Sequence, residues 1–482
     1  MNDRRINTTL FWSAGALLAG VVVAGLIRPL LSIGRYLPLD PNEGWNAYFA
    51  AAAIHGGVLY PPADALITNN YPPLSFYIVG ALGSVTGDNI FAGRFIALAS
   101  LLFVAWSIGH WLRMTGSAAR IGLLAALTFL AYAVTYSRVY VAMDDPQWLA
   151  HALMMGGLLV IWKGKDDARH IALGALLMLA AGWTKHLLIP LPLTVSLWLL
   201  WRSRAAFAKW AVSAGSILAL SATLAGWLYG MRFFTSLHEP REYMRWKAIG
   251  EALAALRCFA PLVALWVAAL VRRRWRFGER LSFVSLYLLV SSVVAVFAAG
   301  GAGVDVNSFF DPMIALCLTA GLAVEALWAV RRDARLLPSW GPIAAMGLAV
   351  CLMAYAISLA PAEIQGIRNI PADERSARRD IEMIQADGHQ RAACEMLNLC
   401  YWAKSAFMVD FFYFGQKLKT GVLPRTACAD TFQHAEIALV QLESNPHHRA
   451  KLLPNDCDAL ITARYRPVRQ SNFGPLLTRA AY

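Results

Sequence analysis

Apolar runs of about twenty residues recur along this chain, separated by short polar breaks. They begin near Leu10, Ile90, Arg120, Pro146, Trp210, Ala252, Leu281, Phe309 and Gly341. The stretch from Ile171 to Trp201 is long enough for two shorter runs, broken at Lys185-His186. A helix needs about 20 apolar residues to cross the hydrocarbon core of a bilayer. The pattern therefore predicts a mainly α, polytopic integral membrane protein with about eleven transmembrane helices. Beyond Ala360-Pro361 the long runs stop. The remaining residues mix charge, Pro, Asp and Asn with short apolar stretches, enough for a small globular domain. Ile437 to Gln441 and Ala459 to Ala463 read as buried strands, and Ala372 to Ala386 as a helix. The predicted organisation is a membrane region over residues 1–361 and a small α/β domain over 362–482.

Composition agrees. Of 482 residues 58% are hydrophobic and 15% charged, where a soluble chain carries about a quarter charged. Mean hydropathy is +0.48. The net charge of +13 raises the question of nucleic acid, but its distribution answers it. The cations fall in alternate short loops: Arg4/Arg5, Arg113/Arg120, Lys163/Lys165/Arg169, Arg202/Arg204/Lys209, Arg272/Arg273/Arg274/Arg276/Arg280 and Arg331/Arg332/Arg335. Short Lys/Arg-rich loops stay in the cytoplasm. The N-terminus is then inside, the C-terminal domain outside, and no nucleic-acid partner is needed to explain the charge. Met1 to Arg5 resembles the start of a signal peptide, but the apolar run after it exceeds a signal core and leads to no small-x-small cleavage site. An uncleaved first span is the better reading.

Cysteine usage fits an outward domain. Cys258, Cys317 and Cys351 lie in or beside spans, where thiols are ordinary packing groups. Cys394, Cys400, Cys428 and Cys457 lie in the tail, where an oxidising compartment allows three pairings that spacing does not distinguish. Zinc is a weaker reading, because no CxxC or matching His spacing appears.

Two hydrophilic outward regions carry the candidate chemistry. The first, Gly34 to Asn89, opens with Leu39-Asp40-Pro41-Asn42-Glu43-Gly44-Trp45. Carboxylates held at a bilayer face usually do chemistry or bind a charged ligand, although Asp before Pro is also a good helix cap. Ala47, Ala50, Ala51 and Ile54 share one helical face and predict a helix lying along the interface. Tyr71-Pro72-Pro73 shapes the loop beyond. The second region, Met231 to Glu251, carries Arg232, His238, Glu239, Arg241, Arg245 and Lys247, a load of cations that phosphate would explain. Asp144 and Asp145 precede a span at Pro146, where one acid suffices as a cap. Lys185 sits toward the outer side, as either a paired cation or a snorkelling one; His186 reads as structural. Trp45, Tyr48, Trp148 and Trp246 read as interface anchors.

Together these features resemble the GT-C glycosyltransferases, which use lipid-linked sugars: protein O-mannosyltransferases, aminoarabinose transferases and their bacterial relatives. The residues that carry the resemblance are Asp40-Pro-Asn-Glu43, Asn70-Tyr71-Pro72-Pro73-Leu74, Asp144-Asp145-Pro146-Gln147-Trp148-Leu149, the late loop Gly303-Val-Asp-Val-Asn307-Ser-Phe-Phe-Asp311, and the soluble tail. One departure stands out: the family's adjacent Asp-Glu pair is Asn42-Glu43 here, with Asp40 three residues before the glutamate. The resemblance implies transfer of a sugar from a polyprenyl-phosphate donor to a cell-envelope acceptor (a glycan, lipid or protein) on the periplasmic face of a bacterial inner membrane. A first-loop carboxylate, Asp40 or Glu43, would be the general base. Asp144, Asp145, Tyr71, Lys185, Arg232, Arg241, Arg245 and Asn307 are the expected substrate-binding residues, the cations serving the departing phosphate. Some relatives bind a divalent ion at the acidic loops and others need none, so metal stays unassigned. The competing reading is a transporter or flippase of lipid-linked glycans. That would place charge near the bilayer midplane and favour internal repeats, and neither is evident. An O-antigen ligase or polymerase would carry a large outer loop in mid-chain.

Overall fold

The computed structural model describes residues 2–272, 278–328, 339–387, 391–434, 437–443 and 452–479. Arg273, Arg274, Arg276, Arg331, Arg332 and Arg335, read as topology signals in the sequence, lie outside them. Helices dominate. The first loop region follows α1 (Asn2–Ser32) with α2 (Pro41–His55) and α3 (Leu74–Thr86). Then come α4 (Asn89–Met114), α5 (Ala119–Thr135), α6 (Gln147–Gly164), α7 (Ala168–Thr184), α8 (Pro190–Arg202) and α9 (Arg204–Tyr229). The short α10 (Met231–Ser236) leads to α11 (Arg245–Arg272), α12 (Glu279–Ala299), α13 (Phe310–Trp328) and α14 (Trp340–Asp387).

The eleven apolar runs of the sequence map onto α1, α4 to α9 and α11 to α14. Among the described residues, seven helices are long and apolar enough to cross a membrane: α1, α4, α9, α11, α12, α13 and α14. The protein is a multi-pass membrane protein. Leu220, Trp227, Val293 and Phe297 are exposed on its flanks, as side chains facing lipid should be. The break foreseen at Lys185-His186 is where α7 ends and α8 begins after it. Among the described residues, the loops that carry Lys165, Arg202 and Glu279 meet. There Lys165 and Arg202 both reach Glu279, at 3.1 and 3.2 Å.

Three expectations need correction. The segment from Gly34 to Asn89 is not uniformly hydrophilic, because α3 is an apolar helix; at 13 residues, or about 20 Å, it is too short to cross. The first half of the α2 face that was to lie on a membrane interface is covered by protein, while Ile54 at its far end is exposed. Ala47 packs with Ile90 and Trp402, and Ala50 with Val79 and Ala92. Trp45 and Trp148 are buried rather than interfacial: Trp45 donates to the Thr68 carbonyl and Trp148 to that of Tyr140. Tyr48 stacks on Phe407 and donates to the Ser405 carbonyl. Only Trp246 of the four is well exposed.

The apolar run of α14 ends near Pro361, but the helix does not. It continues unbroken through Pro361 and Pro371 to Asp387. Glu363 holds Arg28 and Arg138, and Glu374 holds Arg35 and Arg378. The upper part of α14 thus splints the end of α1. It then packs Ala377 and Ile384 under the tail sheet, against Ala392, Leu439 and Leu476.

That sheet has the order β1-β2-β4-β3, with β1 (Ala392–Cys394) parallel to β2 (Leu439–Gln441) and the rest antiparallel. The strand foreseen at Ile437 to Gln441 is central β2. Ala459 to Ala463 is instead part of a helix, Asn455–Arg464. Asp456 and Asp458 in its first turn complement the helix dipole, and Cys457 and Ile461, four apart, share its buried face. Five apolar-rich residues are too few for their period to discriminate. The hairpin β3 (Tyr465–Ser471) and β4 (Gly474–Arg479) supplies the remaining strands. Disulfides join Cys394 to Cys400 and Cys428 to Cys457, one of the three pairings left open.

Candidate active site

The site is built around the first turn of α2. Asp40 is its N-cap, accepting the Asn42 amide at 2.9 Å, and Pro41 occupies the first helical position. Glu43 lies on the same turn, turned inward and fully buried. Its Oε1 accepts from Arg94 Nε at 2.7 Å and from the Asp144 amide at 3.2 Å. Oε2 accepts from Arg94 Nη2 at 2.7 Å, Asn398 Nδ2 at 2.9 Å and the Leu39 amide at 3.3 Å. Arg94, also fully buried, spends its remaining N–H groups on the carbonyls of Ser32, Arg35 and Leu37. One guanidinium therefore joins the end of α1, the start of α2 and the body of α4. Burying a charge requires such pairing.

Asp40 differs from Glu43. It is partly buried, and among the described residues its Oδ2 has no hydrogen-bond partner. Partial burial nevertheless raises its pKa to about 6 against the pull of the Asn42 amide, with the nearby carboxylates of Glu43, Asp145 and Asp305 adding to the rise.

Asp144 and Asp145 point in different directions. The Asp144 carboxyl lies on Gly93 of α4, where a Cβ would come within 1.9 Å of Oδ1; only glycine leaves room. Its Oδ2 has no hydrogen-bond partner, and burial, then Glu43 and Asp145, push its pKa well up. Asn46 holds the Asp144 carbonyl at 2.8 Å. Asp145 accepts the Gln147 amide at 2.7 Å just ahead of α6 and receives Lys185 Nζ at 3.1 Å. Lys185 is thus a paired cation and not a snorkelling one. Its ammonium also lies 4.8 Å from the Tyr71 ring centre. Burial opposes its charge, but Asp145 and Tyr71 outweigh that and hold its pKa above the ordinary value. Burial and then the cations Arg241, Lys185 and His238 lower His186 to about 4, so it is neutral at physiological pH.

Lys185 opens onto a narrow cleft of about 60 Å³, lined among others by Tyr71, Gln147, Arg241, Asn307 and Asp311. Asn307 donates to Gln147 at 3.4 Å, and Arg241 to the Ala302 carbonyl at 3.4 Å. The tail closes over this region. Phe412 packs on Gly303, whose φ of 73° and lack of a side chain the contact requires. Gln416 accepts the Glu242 amide at 2.9 Å, and Lys417 donates to the Ala65 carbonyl at 2.7 Å.

Of the residues singled out in the sequence, Tyr71, Lys185, Arg241 and Asn307 share the cleft, with Asp145 attached through Lys185. Asp40, Glu43 and Asp144 form an adjoining acidic group. Two do not join. Arg232 is tied to the Pro61 carbonyl at 2.6 Å and to Glu239 at 3.0 Å, and Arg245 is exposed at the start of α11. Sequence reasoning missed Arg94, Gln147, Asp305 and Asn398 as members of the site. Arg94 had a signal, a lone arginine inside an apolar span; Asn398 had none. The carboxylates do not converge on a metal: Glu43 is taken by Arg94 and Asn398 and Asp145 by Lys185. Among the described residues no group of three or more His, Cys, Asp or Glu side chains is arranged to hold one.

No protein-family model matches the chain, and no curated protein matches it. Its fold has solved counterparts. The crystal structure of ArnT from Cupriavidus metallidurans in the apo state aligns with a TM-score of 0.58 at 14% identity, over 97% of this chain and 99% of that one. The same protein bound to undecaprenyl phosphate aligns at 0.56 and 14% identity, over 97% and 98%. The archaeal oligosaccharyltransferase AglB from Archaeoglobus fulgidus, in complex with an inhibitory peptide and a dolichol-phosphate, aligns at 0.56 and 10% identity, over 97% of this chain and 74% of that one. The likeness is one of fold, and it runs through the membrane helices and into the tail.

Proposed function

We propose that this chain, a multi-pass membrane protein with the GT-C fold, is a glycosyltransferase. It transfers a sugar from a polyprenyl-phosphate donor to an acceptor hydroxyl of the cell envelope. Residues 1–361 form the catalytic membrane domain and 362–482 the soluble domain. The reaction takes place on the periplasmic face of a bacterial inner membrane. ArnT and AglB are each bound to a polyprenyl phosphate in a solved structure, which supports that donor class.

The observation that carries the reading is an open carboxylate, Asp40, grouped with Asp145, whose partner Lys185 lines a cleft shared with Arg241. Asp40 is the general base: it takes the acceptor's proton as the acceptor oxygen attacks the anomeric carbon. The bond from that carbon to the phosphate oxygen breaks, and the lipid phosphate leaves with the electron pair. Lys185 and Arg241 stabilise the charge that grows on it. A single displacement inverts the anomeric carbon. Glu43, whose oxygens are both engaged, holds the turn that presents Asp40. No step is routed through a metal; of the grouped carboxylates, Glu43 is committed to Arg94 and Asp145 to Lys185.

The test is transfer in vitro, using purified full-length protein, a panel of polyprenyl-phosphate sugars and isolated envelope acceptors. Transfer by the wild type and its loss in Asp40→Asn, with normal insertion, is the expected result. Full transfer by Asp40→Asn would overturn the assignment of the base.

A further inference from the structure

The group that completes the Glu43 site from outside the membrane helices comes from the tail. Cys394 closes β1, and its disulfide to Cys400 makes a tight ring that contains Asn398. Asn398 is fully buried. The ring is pressed onto α2 at Gly44, where a Cβ would lie 2.3 Å from the Leu397 carbonyl carbon and 2.4 Å from the Asn398 nitrogen. The next turn docks on the start of α4. Trp402 donates to Asp88 at 2.9 Å, and Tyr401 accepts the Asn89 amide at 3.4 Å. On its other side the ring is anchored to the sheet, where Gln441 accepts the Met396 amide at 2.9 Å. Asn398 does not line the cleft, so it does not touch the donor there. Among the described residues, its Nδ2 instead supplies the one hydrogen bond that Glu43 receives from the tail.

We propose that Asn398, held by the Cys394–Cys400 ring, is a positioning residue: it clamps Glu43, and through the first turn of α2 it sets the orientation of Asp40. The proposal rests on the glycosyltransferase reading for its kinetic consequence, while the clamp itself is a statement about structure alone. The tail is then part of the reaction centre, and the oxidised ring is a condition of full activity. Small displacements of a reacting group cost rate more than binding.

The experiment uses full-length protein in nanodiscs. Asn398→Ala, the isosteric Asn398→Asp, which lacks the donor, and Cys394→Ala/Cys400→Ala are compared with wild type. Hydrogen exchange over residues 39–46 and steady-state transfer are both measured. Each variant is expected to speed exchange in that segment and to lower kcat about 10- to 100-fold, with KM for the lipid donor within about twofold. Combining Asn398→Ala with the disulfide variant should add little, because both open the same clamp. Unchanged exchange, or kcat retained by both Asn398 variants, would overturn the inference. If the disulfide variant fails to fold, the two Asn398 variants decide it. A wild type that transfers nothing from any polyprenyl-phosphate sugar defeats the functional reading, and the exchange data still decide the clamp.

Discussion

Arg94 and Glu43 form a two-pronged ion pair, both contacts 2.7 Å, and solvent reaches neither side chain. The glutamate that the sequence offers as one of two candidate bases is thereby engaged on both oxygens, and its partner reaches three further backbone carbonyls. Removing one member of a buried pair strands the other, which costs about 3–5 kcal/mol. Arg94→Met and Glu43→Ala should each lower stability by that order, read as a large drop in the melting temperature of the detergent-solubilised protein. Equal melting temperatures for Glu43→Ala and wild type would mean the pair does not hold the turn.

Asp40→Asn should behave in the opposite way. Asparagine caps a helix about as well as aspartate, so the melting temperature should stay close to wild type. Loss of a general base should slow transfer about 10²- to 10⁴-fold. The contrast between the two carboxylates separates chemistry from support.

On the proposed mechanism, the acid limb of the transfer rate should follow the Asp40 environment. A base works deprotonated, and burial together with neighbouring carboxylates raises its pKa to about 6. kcat/KM should therefore fall about tenfold per pH unit below about 6 and level off above it. A limb centred near the ordinary carboxylate value of about 3.9 would argue that Asp40 is not the titrating group.

Lys185 and Asp145 should act as a unit. Lys185→Met is expected to weaken binding of a polyprenyl phosphate and to destabilise the fold by stranding Asp145. Asp145→Asn should cost less when added to Lys185→Met than alone, with a coupling of about 0.5–3 kcal/mol. Additive effects in melting curves would show that the pair at 3.1 Å carries no energy.

The two disulfides should differ in weight. Closing a longer loop removes more freedom from the unfolded chain, and in that model Cys428–Cys457, 29 residues apart, stabilises the tail by about 3–4 kcal/mol. Cys428→Ala/Cys457→Ala should loosen the tail generally, read as increased protease cleavage between residues 405 and 470. It should speed exchange at residues 39–46 less than opening the Cys394–Cys400 ring does.

The chain's pattern of apolar runs was enough to place eleven helices and the break at Lys185, because desolvating a backbone in lipid forces each run into a helix. It also marked Asp40, Tyr71, Asp145, Lys185, Arg241 and Asn307, since polar groups beside spans are costly unless used. The matters it left open were local in sequence but decided by distant contacts. Asp40 and Glu43 sit three residues apart, and nothing in their spacing says that one caps α2 without a cationic partner while the other meets Arg94, 51 residues on, and Asn398, 355 residues on. Likewise Ala459 to Ala463 became a helix through the acidic first turn before it and its buried face, not through its own composition. Hydrophobic period is a property of neighbours along the chain. Which carboxylate is free to react is a property of what the fold packs against it, and only the tertiary structure decided that.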